Sequence, residues 1–275
     1  MAEFIDVLSY DFMQRAVIAG ALAAVVCAVI GTLVVVNRLV FLAGGVAHTA
    51  YGGLGIAILA GFAPLLGAVG FAVAMALVMA WATRDRKTRT DAVTGVLWAF
   101  GMALGVILMD LDRSRGGGYQ ADLMSYLFGG LLTVAETDLK AMAVYTVVLV
   151  ATSVFLYQRF LAIAYDDEFA QARGLRTGAI FAFLLALTAV AVVLLIRVVG
   201  LLLVIALLSI GPYVAERRCR CMWQMMLASG VLNLVFIAVG IVLSYRFDLS
   251  SGPAIIIVAC VVFAIDEVVS RVRTG

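Results

Sequence analysis

The side chains best suited to chemistry are few and scattered along this sequence. A single histidine, His48, follows Gly44-Gly45-Val46-Ala47 and precedes Thr49-Ala50-Tyr51-Gly52-Gly53. Imidazole titrates near neutrality and is a common ligand for transition metals. One ligand does not make a metal site, so His48 reads either as a pathway group or as the donor of an interhelical hydrogen bond. Of the four cysteines, Cys27 and Cys260 lie in long apolar runs, where a thiol acts as a small hydrophobe. Cys219 and Cys221 lie in a basic connection, and two sulfurs fall short of a tetrahedral zinc site. Ser209 could in principle pair with His48 as a serine nucleophile and base. It sits in no Gly-x-Ser-x-Gly setting, however, and sequence cannot place the two together. No Gly-x-x-x-x-Gly-Lys-Ser/Thr loop is present, so no nucleotide site is expected in this chain. The sequence thus offers no catalytic residues and no cofactor-binding set.

What must position these residues is set by composition. Hydrophobic residues make up 65% of the 275 positions and charged residues 13%, against roughly half and a quarter in an ordinary soluble domain. Too little polar side chain is available to coat a globule of this size, which excludes a soluble enzyme, a disordered chain and a disulfide scaffold. At about 20 apolar residues per crossing, the apolar stock would fill about nine spans. The charge-free runs give candidate spans near 16–36, 46–61, 64–83, 93–109, 141–159, 178–196, 199–215, 222–245 and 252–270. The break between the second and third falls at Gly61-Phe62-Ala63-Pro64, since proline lacks the amide donor and disfavours helix in the residue before it. The span at 46–61 is short and glycine-rich, and is expected to be tilted, broken or partly re-entrant. The fold class is therefore an all-α polytopic membrane protein with eight or nine transmembrane helices, a single domain over 1–275.

Basic residues fix the orientation. One alternating set of connections carries Arg38, the cluster Arg84, Arg86, Lys87 and Arg89, then Arg159, Arg173, Arg176, Arg217, Arg218, Arg220, Arg271 and Arg273. The opposite set carries only Arg15, Arg113, Arg115, Lys140, Arg197 and Arg246. The richer side faces the cytoplasm, so the C-terminus is expected inside and, with nine spans, the N-terminus outside. No basic n-region marks a cleavable signal at the start.

Three segments are more than spans. The stretch at about 110–140 is external, with Gly116-Gly117-Gly118 as a flexible loop and Leu123–Val134 too short to cross; it is either a surface helix or an external lid. The stretch at about 164–175 has Asp166 and Asp167 to cap and charge a helix start, Phe169 and Ala172 three apart on one face, Arg173 near the end, and Gly174 as a stop. It reads as a short, self-capped cytoplasmic helix suited to docking in a partner's groove, the alternative being a solvated connector. Pro212 kinks or interrupts its span, and Ser209 could re-satisfy a freed backbone group there; a kink and a gate hinge both stand.

Taken in order, these segments resemble the integral membrane permease of bacterial zinc/manganese/iron ABC importers. The match rests on Ser9-Tyr-Asp-Phe-Met-Gln-Arg-Ala16, Phe41-Leu-Ala-Gly-Gly-Val-Ala-His48-Thr-Ala50, Asp122-Leu-Met-Ser-Tyr-Leu-Phe-Gly129, Asp167-Glu-Phe-Ala170 with Gly174, and Val199-Gly200 through Leu207, Leu208 and Pro212 to Ala215-Glu-Arg-Arg218. The resemblance implies that Asp166, Asp167, Glu168, Phe169, Ala170 and Gly174 form a coupling helix against an ATPase, that Ser209 and Pro212 belong to a gating span, and that His48 faces a metal path. Where the family usually carries an Asp four residues before this His, the chain has Gly44. The implied assembly is a homodimeric permease in the bacterial inner membrane, surrounded by lipid, with cytoplasmic ATP-binding subunits and an extracytoplasmic metal-binding protein. ATP is expected in the partner subunit, a divalent metal as substrate, and no nucleic acid. A secondary transporter would need buried carboxylates as ion relays, and the spans offer only Asp266 and Glu267 near one end. That scarcity favours an external energy source.

Overall fold

The computed structural model describes residues 10–83, 90–114, 129–130 and 134–274. The basic cluster Arg84–Arg89, Ser9, and the motif from Asp122 to Phe128 lie outside the described residues. Among the described residues the structure is α-helical throughout, in the order α1 (Asp11–Val36), α2 (Val40–Ala60), α3 (Pro64–Thr83), α4 (Thr90–Ser114), α5 (Glu136–Phe155), α6 (Tyr157–Tyr165), α7 (Asp167–Ala172), α8 (Thr177–Val199), α9 (Leu201–Glu216), α10 (Met222–Phe247) and α11 (Ser251–Thr274). Eight of these are long and apolar enough to cross a bilayer, and α9 is a shorter apolar helix. Helices satisfy every backbone donor internally, which is what a hydrocarbon solvent demands. Large side chains such as Phe155, Trp81 and Val272 stand outward, as lipid-facing residues do.

The span expected to be short and broken is neither. Helix α2 starts at Val40, six residues before the expected start, and runs unbroken for 21 residues. Its glycines serve helix contact rather than unwinding. The short member is α9, 16 residues or about 24 Å long. Its start is fixed by Gly200, whose φ of 86° and ψ of 155° suit glycine almost alone. The break between α2 and α3 falls where the sequence placed it: Gly61 turns left-handed, and Pro64 opens α3.

The chain clusters into two compact units that interleave along the sequence: 1–35, 124–153 and 194–275 in one, 36–123 and 154–193 in the other. Within the second unit, α2 packs against both α3 and α4, and α6 against α7. The α2 seams are closed by glycine pairs. A Cβ on Gly53 would lie 2.2 Å from the Gly67 carbonyl oxygen, and one on Gly101 would lie 2.6 Å from the Thr49 Cα. Such close approach is how membrane helices gain packing energy without a hydrophobic drive between them. Within the first unit, α9, α10 and α11 pack mutually, and α1 meets α9 through Gly31, where a Cβ would be 2.6 Å from the Leu208 carbonyl oxygen.

Candidate functional site: a metal path and a coupling helix

His48 is the ninth residue of α2 and is only 8% exposed. Its Nδ1 lies 2.8 Å from the Gly44 carbonyl oxygen, one turn back on the same helix. A carbonyl can only accept, so Nδ1 carries the proton and donates. In the neutral ring this leaves the Nε2 lone pair for a ligand. The other face of the imidazole is taken by Trp98 of α4, with ring centroids 4.1 Å apart and an interplanar angle of 29°. Trp98 in turn meets Phe41 at 6.2 Å. Gly45 is what lets α4 come close: a Cβ there would meet the Thr94 side chain at 2.4 Å. No cluster of three or more His, Cys, Asp or Glu side chains occurs among the described residues. The arrangement can present one oriented nitrogen to a passing ion and cannot cage it.

The segment at about 164–175 resolves into two helices. Tyr157–Tyr165 is a separate helix that the sequence had partly joined to the preceding span, and the candidate coupling helix is the six-residue Asp167–Ala172. Asp166 caps it as expected, its carboxylate accepting from the Phe169 amide at 2.9 Å. Gly174, at φ 84°, stops it, with the Leu175 amide donating back to the Ala170 carbonyl. Phe169 and Ala172, three apart on one face, are both exposed. Ala170 is the buried member, while Phe169 is 58% exposed with the Arg173 guanidinium 5.1 Å above its ring. Asp166 and Glu168 are also exposed. The helix thus offers two carboxylates and an aromatic edge outward while its backbone is held at both ends.

Pro212 stands inside α9 and deprives the Leu208 carbonyl of its usual donor. Ser209 does not repair this, contrary to the sequence reading. Its hydroxyl donates to the Ile205 carbonyl at 2.6 Å, one turn earlier, and is thereby spent. Two features of this region escaped sequence reasoning. Asn233 of α10, fully buried, donates from Nδ2 to the Leu207 carbonyl at 3.2 Å, with Gly211 making room for its amide. A lone amide within a charge-free span is itself the signal that would have found it. Arg217 and Arg218 at the end of α9 pair with Glu267 and Asp266 of α11; Arg217 reaches Glu267 at 2.6 Å and stacks on Tyr213 at 4.8 Å. The hydrogen bond that Arg217 donates to the Glu267 carboxylate raises the guanidinium above its ordinary value. Trp98 was missed as well, since tryptophan near a span's start reads as an interfacial anchor.

Residues 9–270 match the sequence model of the ABC 3 transport family. The chain belongs to that family. Among relatives of this ABC 3 chain, an uncharacterized membrane protein of Synechocystis sp. is 44% identical over 95% of this chain and 92% of its own. The manganese transport system membrane protein MntC of Listeria monocytogenes is 26% identical over 94% of this chain and 90% of its own. The fold of PsaBC from Streptococcus pneumoniae, solved in complex with Fab, superposes with a TM-score of 0.83 at 22% identity, covering 96% of this chain and 94% of that one. The ABC 3 chain is accordingly a multi-pass membrane protein.

Proposed function

We propose that this chain is the membrane permease of an ATP-driven importer that carries a divalent transition metal by alternating access. The observation that carries the reading is the family match from residue 9 to residue 270. The Listeria relative, named as a manganese transport system membrane protein, points the cargo toward a metal. In this reading the permease itself performs no covalent chemistry. Two copies pair in the bacterial inner membrane, a separate cytoplasmic ATP-binding subunit engages α7, and an extracytoplasmic binding protein delivers the ion. ATP-driven closure of the ATPase pulls on α7 and rocks the membrane helices between outward and inward states. The basic residues around α7 and at Arg217–Arg220 support a cytoplasmic position for these connections and for the C-terminus.

His48 is the residue assigned to the path. Its Nε2 is oriented, while the position four residues earlier is Gly44 and supplies no carboxylate. Such a site suits transit more than storage. We expect His48→Ala to lower metal-dependent uptake about ten-fold or more, the scale of losing a metal contact, with ATPase assembly unchanged. Gly44→Asp should tighten binding and slow release. Isotope accumulation in metal-depleted cells checks both, and uptake that follows the proton gradient rather than ATP would overturn the importer reading.

A further inference from the structure

The buried stripe of α10 includes Met225, Ser229, Asn233, Phe236 and Gly240, so an apolar helix carries one amide and one hydroxyl inward. Asn233 and Ser229 stand one turn apart on the same face, and both are fully buried. A polar side chain inside a spanning helix is costly and marks a functional position whose partner can be named. For Asn233 the partner is α9. Its Nδ2 donates to the Leu207 carbonyl at 3.2 Å. The amide cannot be turned over, because Oδ1 would then face a group that only accepts. Oδ1 lies over Gly211, where any Cβ would strike it. Among the described residues, neither Oδ1 nor the Ser229 hydroxyl has a hydrogen-bond partner.

This contact falls on the weakest turn of α9. Pro212 brings no amide to the Leu208 carbonyl, and a proline ring crowds the carbonyl four residues before it. Gly211 weakens the same turn again, since glycine is the poorest helix former after proline. On the α1 side, Gly31 comes close to the Leu208 carbonyl oxygen but has no side chain with which to donate to it. The grip on this turn therefore comes from α10. A glycine beside a proline would be two faults in an isolated helix. Here the glycine is the seat of the amide, and the amide holds the carbonyl next to the missing rung. A side chain inserted into the ladder in this way is one of the few causes of a bend in a helix.

We propose that Asn233 is a positioning residue for α9: its amide, seated over Gly211, holds the turn before Pro212 and sets how far the two halves of α9 swing against each other during transport. The seat rests on contacts within one compact unit, to which α9, α10 and Gly31 all belong. Its consequence for uptake rests on the transport reading above.

The test uses the full permease with its ATPase in proteoliposomes. Asn233→Leu removes the amide and keeps its bulk, Gly211→Ala leaves the amide but fills its seat, and Pro212→Ala restores the missing rung. Hydrogen–deuterium exchange follows the amides of α9, and Mn2+ uptake is measured against ATP hydrolysed. We expect Asn233→Leu and Gly211→Ala each to raise exchange in α9 about five-fold, the scale of one buried hydrogen bond, with thermal stability unchanged. ATP hydrolysed per ion imported should rise by about the same factor. Gly211→Ala is the sharper of the two, because alanine favours a helix and would protect α9 if the amide had no role. Pro212→Ala should restore protection in the Asn233→Leu background, since a complete ladder needs no grip. Unchanged exchange in both single variants overturns the proposal, and so does raised exchange spread over every helix, the mark of a merely structural residue. Raised exchange in α9 with an unaltered ATP cost per ion removes the positioning role. If uptake does not follow ATP at all, the transport reading fails, and exchange in α9 still decides whether the amide holds this helix.

Discussion

An imidazole that donates to Gly44 and stacks on Trp98 has lost both its ring rotation and its choice of tautomer. In the proposed metal path, this orientation takes the place of coordination number. A stacked aromatic pair contributes about 0.5–1.5 kcal/mol beyond burial, so Trp98→Ala should weaken metal engagement by about two- to ten-fold. Trp98→Phe should restore most of it, since a flat ring returns to the same face. A permease in which Trp81 and Trp223 are replaced by Phe leaves Trp98 as the only indole. Its fluorescence should be quenched by Co2+ in the wild-type His48 background and not in His48→Ala. Absence of quenching in both would show that the ion does not visit this ring. His48 was legible in the sequence because it is unique. Its stacking partner was not, because 50 residues of chain separate the two and only the packing of α2 on α4 joins them.

At the scale of elements, the six residues of α7 are too few to be stable as an isolated helix. The Asp166 cap and the Gly174 stop therefore matter more here than in a long span. Asp166→Ala should cost about 1 kcal/mol of local order, and Gly174→Pro more, since proline's φ is opposite in sign to the 84° required. Glu168→Arg reverses an exposed charge in the first turn and leaves the Asp166 cap and the Gly174 stop in place. We expect Glu168→Arg and Gly174→Pro to insert normally but to reduce co-purification of the ATPase and to uncouple uptake. Undiminished ATPase recovery and uptake would remove α7 from the contact. The caps of this helix were readable because they are local, within three or four residues. Its buried face was not: which of Phe169 and Ala170 turns inward is decided by the neighbours of α7, and those come from elsewhere in the chain. The same limit applies to α2, where a glycine-rich run suggested a broken span. Glycine weakens an isolated helix, but at a seam such as Gly53 on Gly67 it is what permits contact.

For the whole molecule, the uneven distribution of basic residues is an orientation signal that costs nothing to test, because the chain carries its own reporters. Cys221 is exposed in the connection between α9 and α10, whereas Cys27 is buried. In intact cells an impermeant thiol reagent should leave wild-type protein unlabelled, and permeabilised cells should label at Cys221. Ser250→Cys, at the opposite end of α10, should label in intact cells. The reverse pattern would overturn the orientation and put α7 on the wrong side for any ATPase. The span count was legible to within one because hydropathy and helix length measure the same bilayer. The uncertain member was misplaced: α2 proved complete, and α9 proved short.

That short helix carries a consequence for how the chain is made. Without the break at Gly200, α8 and α9 would run on as one apolar rod of about 60 Å, twice the thickness of the hydrocarbon core. In the proposed topology, where α9 crosses, the insertion machinery would then meet one oversized segment in place of two, and every later connection would be delivered to the opposite face. Gly129 closes against this same point, where any Cβ would strike the Gly200 amide nitrogen. The sidedness of the final third of the protein is thus a question of parity, and one backbone dihedral answers it.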